Sequence, residues 1–252
     1  MLSFEAVGWS VGGTRILGAV DLTVGPGELV VLLGPSGVGK STVLRLAAGL
    51  IAPETGRIDN AAASTAMVFQ EPRLLPWESA LDNVGLPLAA AGIGRRAARE
   101  EARRRLTRLG FGAADAAKRP AQLSGGMAAR VAIARAFVAA PELVLLDEPF
   151  AALDLARRRD LQGLLRDLVD ETGVGALFVT HDLGEAVRLA DRILVLSGRP
   201  AAVTSVIAHR PIADPAAVWQ AAADLARRPE IVAPFFGGAG GAAATATPSV
   251  DG

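Results

Sequence analysis

Apolar and polar positions along the chain switch between two periods. Val20–Val24 alternates, Gly25–Glu28 reads as a turn, and Leu29–Leu33 is an unbroken apolar run of the kind found in a parallel strand buried on both faces. Residues 1–33 as a whole read as strands, and further short runs at 66–70, 143–147, 176–180 and 192–196 do the same. Helical spacing fills the gaps. It predicts helices over 41–50, stopped by Gly49 and Pro53, over 127–140, ended by Pro141, and over 155–171, where Leu161, Leu164, Leu165 and Leu168 share one face. This alternation predicts an α/β fold, a mainly parallel sheet with helices on its faces. Residues 72–140 interrupt it: Pro72, Pro76 and Pro87 break the chain, and 94–111 is a strongly charged helix with Leu106 and Leu109 turned inward. A mostly helical subdomain inserted over 72–140 is expected. The Gly/Ala-rich stretch 237–252 carries too little side chain to pack and is expected to be disordered, leaving 1–236 as the folded domain.

Composition narrows the functional classes. The 252 residues are about half apolar, enough for one large domain. Lysine plus arginine equals aspartate plus glutamate at 26 each, so net charge points to no nucleic acid and no anionic membrane. The arginine-rich run within 94–111 reads as a solvated helix face. The sequence has no cysteine, which excludes a disulfide framework and a thiolate metal site. No apolar run approaches the roughly 18–20 residues of a membrane span, and Met1–Trp9 has no signal-peptide pattern, so a soluble chain that stays where it is made is expected. Lys40 and Lys118 are the only lysines, which draws attention to both.

The chemistry starts at Gly34-Pro35-Ser36-Gly37-Val38-Gly39-Lys40-Ser41, which fits G-x-x-x-x-G-K-[ST] between a buried strand and a helix. Glycines let such a loop curl until successive N–H groups face phosphate oxygens, and the helix that follows adds its positive end. Lys40 is placed to reach the β- and γ-phosphates and Ser41 to bind Mg²⁺. Asp147 closes the strand 143–147 and can hold the metal, and Glu148 beside it can polarise a water. His181 ends the strand 176–180 and is a candidate γ-phosphate sensor. Ser124-Gly125-Gly126 opens a helix whose exposed amides make a second phosphate site. One chain holds a single γ-phosphate, so this second site is expected to serve another molecule's ATP.

With these segments in order the chain resembles the ABC ATPase family, and the resemblance covers nearly all of residues 1–210. Gly34–Thr42 is similar to its Walker A loop, Phe69–Pro72 to its Q-loop, Leu123–Met127 to its signature, Leu143–Pro149 to its Walker B, Ala151–Asp154 to its D-loop and Thr180–Asp182 to its switch region. The resemblance implies a P-loop NTPase fold with an N-terminal antiparallel β region, ATP and Mg²⁺ as ligands, and roles by position. Ser41 and Gln70 would ligate Mg²⁺ and Asp147 would hold it through water. Glu148 would be the base, with His181 on the γ-phosphate. Ser124, Gly125 and Gly126 would complete the site of a second copy in a head-to-tail dimer, and Asp154 would couple the two sites. The segment after Gln70 would receive a membrane permease, which implies a peripheral place on the cytoplasmic face of the inner membrane and, indirectly, a periplasmic solute-binding protein. Residues 69–88 and 179–201 resemble the nitrate/sulfonate/taurine importers. An exporter ATPase, a non-transport ABC ATPase and a small-molecule P-loop kinase are the alternatives. The family's adenine-stacking aromatic falls at Val11, so either Trp9 takes that role or adenine is held less tightly. Met127 stands where glutamine is commoner, and Ala128-Ala129 replace a usual polar pair.

Overall fold

The computed structural model describes residues 1–151 and 153–236. Its strands are β1 (Leu2–Val11), β2 (Thr14–Val24), β3 (Leu29–Leu33), β4 (Thr55–Asn60), β5 (Thr65–Val68), β6 (Leu143–Asp147), β7 (Gly175–Thr180), β8 (Arg192–Gly198) and β9 (Ala201–Ala208). They form one sheet in the order β4-β1-β2-β9-β8-β3-β7-β6-β5. From β8 to β5 every pairing is parallel, as the apolar runs predict, while β4, β1 and β2 pair antiparallel, as does β9 with β8. β2 touches β9 in parallel at Leu17↔Ala201, which joins the two parts of the sheet.

The continuous apolar runs are explained by burial on both faces. Val31 and Leu33 of β3, Val144 and Leu146 of β6, and Ala176 and Phe178 of β7 face one core, built with α5 (Gly125–Phe137), α6 (Leu155–Thr172) and α7 (Leu183–Leu189). Val30 and Leu32, Leu143 and Leu145, and Leu177 and Val179 alternate to the other core, against α1 (Lys40–Ala47) and the side chains of β1 and β2. The Phe150 and Phe178 rings pack in the first core with centroids 5.7 Å apart.

A third core belongs to the insertion. α2 (Ala80–Ala90), α3 (Arg95–Arg108) and α4 (Ala113–Ala116) close against α5 through Leu81, Val84, Leu106, Phe111, Val131 and Val138. Leu106 and Leu109 are buried as expected, and so are Ala98 and Ala102, while the arginines of α3 stay outside. The segment before α2 is tied down by polar groups. Asn83 is fully buried, accepts from Leu75 N at 2.7 Å and donates to the carbonyls of Leu75, Glu78 and Ser79 at 3.1, 3.3 and 3.0 Å. Arg135 of α5 donates to the carbonyls of Pro72 and Arg73 at 2.8 and 2.9 Å. Trp77, in the same segment, is left 65% exposed.

After β9 the chain adds α8 (Pro215–Ala226) and α9 (Pro229–Phe236), which pack near α7 and β8. The stretch 237–252, expected to be disordered, lies outside the described residues.

A candidate phosphate site at the carboxyl ends of the parallel strands

In a parallel sheet all strands end on one edge, and the loops leaving that edge share a crevice. Register fixes which residues meet there. Leu33 pairs with Thr180 and Asp147 with Val179, so the segments after β3, β6 and β7 emerge side by side. Gly34 N donates to Thr180 O at 3.3 Å, and Glu148 N to Val179 O at 3.1 Å. β5 ends at Val68, shorter than the run 66–70 predicts, and delivers Gln70 to the same edge beyond the strand.

The loop from Gly34 to Lys40 is shaped by close approach. A Cβ on Gly34 would lie 2.6 Å from Leu196 O, a backbone atom that cannot give way. Gly39, the residue before α1, has φ 116°, and a Cβ there would stand 2.9 Å from Leu17 Cδ2. These constraints bring the start of α1 to the loop, with Lys40 as its first residue. Lys40 is buried. Its Nζ donates to Gly34 O at 2.8 Å and Pro35 O at 3.0 Å, and lies 3.5 Å from Glu148 Oε1. Burial pulls the ammonium below the ordinary lysine value, against Glu148 and Asp147, which favour its charge.

Ser41 Oγ donates to Asp147 Oδ1 at 3.0 Å. Burial raises the Asp147 carboxyl above the usual carboxylate range, opposed by that hydrogen bond. Glu148 takes a positive φ of 41°, uncommon for a non-glycine residue, and its side chain lies between Lys40 and His181. Its Oε2 lies 3.0 Å from His181 Nδ1, while Oε1 faces Lys40.

An open cleft of about 610 Å³ lies in front of these groups. Trp9, Val11 and Ile16 line it from β1 and β2, Ser36, Gly37, Gly39, Lys40, Ser41 and Thr42 from the loop and α1, and Gln70 and Glu148 from the neighbouring strand ends. Trp9 and Val11 both reach the cleft. Asp147 stands behind Ser41 rather than on the wall. Val38 turns its side chain to the core and its N–H to Pro35 O at 3.4 Å, so it offers the cleft no side chain. His181 lines an adjoining cleft with α6, α7 and α8, and reaches the first one through Glu148. Arg45 also lines the cleft and favours ionised Asp147; its spacing of four from Ser41 on α1 was the available signal.

Ser124, Gly125 and Gly126 are not part of this cleft. Ser124 caps α5, its Oγ accepting from Met127 N at 3.3 Å, and is exposed, as is Gly125. Gly126 is buried against Arg157, where a Cβ would meet Cδ at 3.1 Å. Asp154 caps α6, accepting from Arg157 N at 3.0 Å. The starts of α5 and α6 are therefore neighbours, which the sequence did not reveal. Of the replaced polar pair, Ala129 is a core residue against the sheet, where an alanine is what the packing accommodates.

Known proteins resemble this chain over most of its length. Residues 17–151 match the family model described as ABC transporter. The chain is 46% identical over 187 residues to the aliphatic sulfonates import ATP-binding protein SsuB of Corynebacterium glutamicum, covering 74% of this chain and 76% of that one. It is 50% identical over 186 residues to the SsuB protein of Mycobacterium avium, covering 73% of each. Among solved structures, a dimeric post-hydrolysis state of the ATP-binding cassette MJ0796 bound to ADP and Pi superposes with a TM-score of 0.73 at 31% identity, covering 84% of this chain and all of that one. By family model, by sequence and by fold, this chain belongs to the ABC transporter family.

Proposed function

We propose that the chain is the ATP-hydrolysing subunit of an ABC importer for a small anionic solute such as an aliphatic sulfonate. The observation that carries the catalytic part is the placement of Glu148, its carboxylate 3.5 Å from Lys40 Nζ and 3.0 Å from His181 Nδ1 at the mouth of the phosphate loop. The solute class rests on the relatives named as aliphatic sulfonate import proteins.

A triphosphate entering the loop offers Lys40 anionic oxygens in place of neutral carbonyls, and a charge-assisted bond is the stronger one. Ser41, Gln70 and Asp147 would hold Mg²⁺. The residues fit that ion: Ser41 Oγ and the half-buried carboxylate of Asp147 are hard oxygen donors 3.0 Å apart, the donor type that Mg²⁺ takes. Among the described residues no group of three or more His, Cys, Asp or Glu could hold a metal, and Mg²⁺ at phosphates needs only one or two protein ligands. When bound, Mg²⁺ would neutralise charge developing on the phosphate oxygens. Glu148 accepts the proton of the attacking water, and His181, held by Glu148, meets the γ-phosphate.

Ser124, Gly125 and Gly126 lie outside the chain's own cleft and serve the ATP of a second copy, placed head to tail. Asp154, beside them through Arg157 and Gly126, links the two sites. The segment from 71 to 79 receives the permease. Exposed Trp77 offers it an apolar contact, and Arg135 connects the segment directly to α5, which carries Ser124. Closure around ATP moves the permease only because ATP binds the closed form more tightly. The chain then sits on the cytoplasmic face of the membrane, and a periplasmic solute-binding protein acts through the permease.

The test is the purified full chain. It hydrolyses ATP with Mg²⁺ and not with a chelator, and its rate per protein falls on dilution. Magnesium-independent or dilution-independent hydrolysis overturns the reading. Trp9 is half-buried at the cleft, and in Trp9→Ala nucleotide titration shows ATP bound more weakly by about 1–3 kcal/mol, the worth of an aromatic–base stack. Unchanged affinity removes Trp9 from the adenine site.

A further inference from the structure

Behind His181 lies a buried polar cluster that the phosphate chemistry does not use. Glu185, on the first turn of α7, is 5% exposed. Its Oε2 accepts from Thr180 Oγ1 at 2.6 Å, and its Oε1 from Gln162 Nε2 of α6 at 3.4 Å. Thr180 Oγ1 in turn accepts from Asp182 N at 3.0 Å. The residues on either side of His181 are thus both tied, directly or through one hydroxyl, to the Glu185 carboxylate.

The same carboxylate faces Arg158 of α6. Arg158 Nη1 lies 3.1 Å from Asp182 Oδ2 and Nη2 donates to Leu153 O at 3.4 Å, while Nε stands 3.9 Å from Glu185 Oε1 and is buried with no hydrogen-bond partner among the described residues. One guanidinium therefore spans the loop at Leu153–Asp154 and the loop at His181. Its Nε is a few tenths of an ångström beyond hydrogen-bond range of Glu185, so a small shift of α6 against α7 makes or breaks that bond.

We propose that Glu185, acting through Thr180 and Arg158, is a positioning residue that sets the His181 loop relative to the Asp154 loop and so tunes hydrolysis to the partner subunit. This rests on the ATPase reading above. The carboxylate is an unexpected choice for purely structural duty. Burial pushes its pKa up to about 7, with Asp182 pushing the same way and Arg158, Thr180 and Gln162 opposing. A carboxyl whose pKa rises from 4.5 to about 7 on folding binds more protons folded than unfolded between those values. Its favourable contribution is complete below the lower value and is lost as pH rises through the upper one. Charged Glu185 at pH 8 therefore costs stability that a neutral isostere recovers.

The experiment uses Glu185→Gln and Thr180→Val in the full chain. The charged groups facing Glu185 are Asp182 and Arg158, and both remain in each variant. The expected result is a kcat for ATP lowered about tenfold to a hundredfold, the scale of a displaced catalytic group, with KM unchanged. In Glu185→Gln the melting temperature at pH 8 rises relative to wild type, and by less at pH 5. A structural residue would lose stability and activity together. Wild-type kcat in both variants overturns the proposal, as does a fall in kcat accompanied by lower melting temperature at pH 8 in Glu185→Gln. If that variant does not fold, Thr180→Val alone decides, by its kcat against its KM. Absence of hydrolysis in the wild-type chain overturns the ATPase reading instead.

Discussion

Replacing Glu148 by glutamine lowers steady-state ATP hydrolysis about 10²–10⁴-fold, the usual worth of a positioned general base, while ATP binding persists. The side chain keeps its shape and one oxygen to meet His181 Nδ1, so the loop geometry survives. What is lost is the proton acceptor and the negative charge 3.5 Å from Lys40. That carboxylate competes with substrate phosphate for the ammonium and repels the γ-phosphate it must approach. Removing it strips these costs from binding while blocking the chemistry. The ATP-bound dimer therefore accumulates, and size-exclusion chromatography with Mg²⁺ and ATP shows the larger species while ADP release stays near background. Normal turnover would remove Glu148 from the role of base.

The parts of this site that sequence made legible are those in which chemistry is written contiguously. Residues 34–41 carry their own conformational requirements, and Asp147-Glu148 follows an apolar run that could only be an inner strand. That these segments meet could be expected from strands ending on one edge, but which strand lies beside which depends on the order β8-β3-β7-β6-β5, which no local pattern encodes. Glu185 was illegible for the same reason. It looks like an ordinary polar residue in the first turn of a short helix, and its burial is created by Gln162 and Arg158 arriving from α6. The contact between Gly126 and Arg157 likewise joins two motifs that sequence treats separately. α8 escaped notice because its inward stripe, Val218, Ala221, Ala222 and Leu225, is half alanine, while the exposed Trp219 and further alanines beside it blur the contrast between the two faces. The charged helix was legible from its own spacing: Ala98, Ala102 and Leu106 turn to the third core and the arginines lie on the outer face.

Replacing Ser124 by arginine abolishes hydrolysis, by about 10²-fold or more, the scale of losing a preorganised donor to a transition-state oxygen, and leaves ATP binding by the isolated monomer intact. The two outcomes separate because Ser124 is exposed and lies outside its own chain's cleft, where Lys40, Ser41 and Gln70 stand. The fold tolerates the change. The lost cap is one hydrogen bond, Met127 N to Ser124 Oγ, worth about 1 kcal/mol, and the arginine side chain extends into solvent. In the proposed head-to-tail dimer the same side chain would occupy the space where α5's first amides approach the partner's triphosphate. Its positive charge does not compensate, because the added bulk keeps the backbone amides at the helix start, already aimed, from reaching the phosphate. Measured by equilibrium titration at concentrations too low for dimers, ATP affinity matches the wild type. If the monomer instead loses ATP, Ser124 belongs to the site of its own chain, and the composite site fails with it.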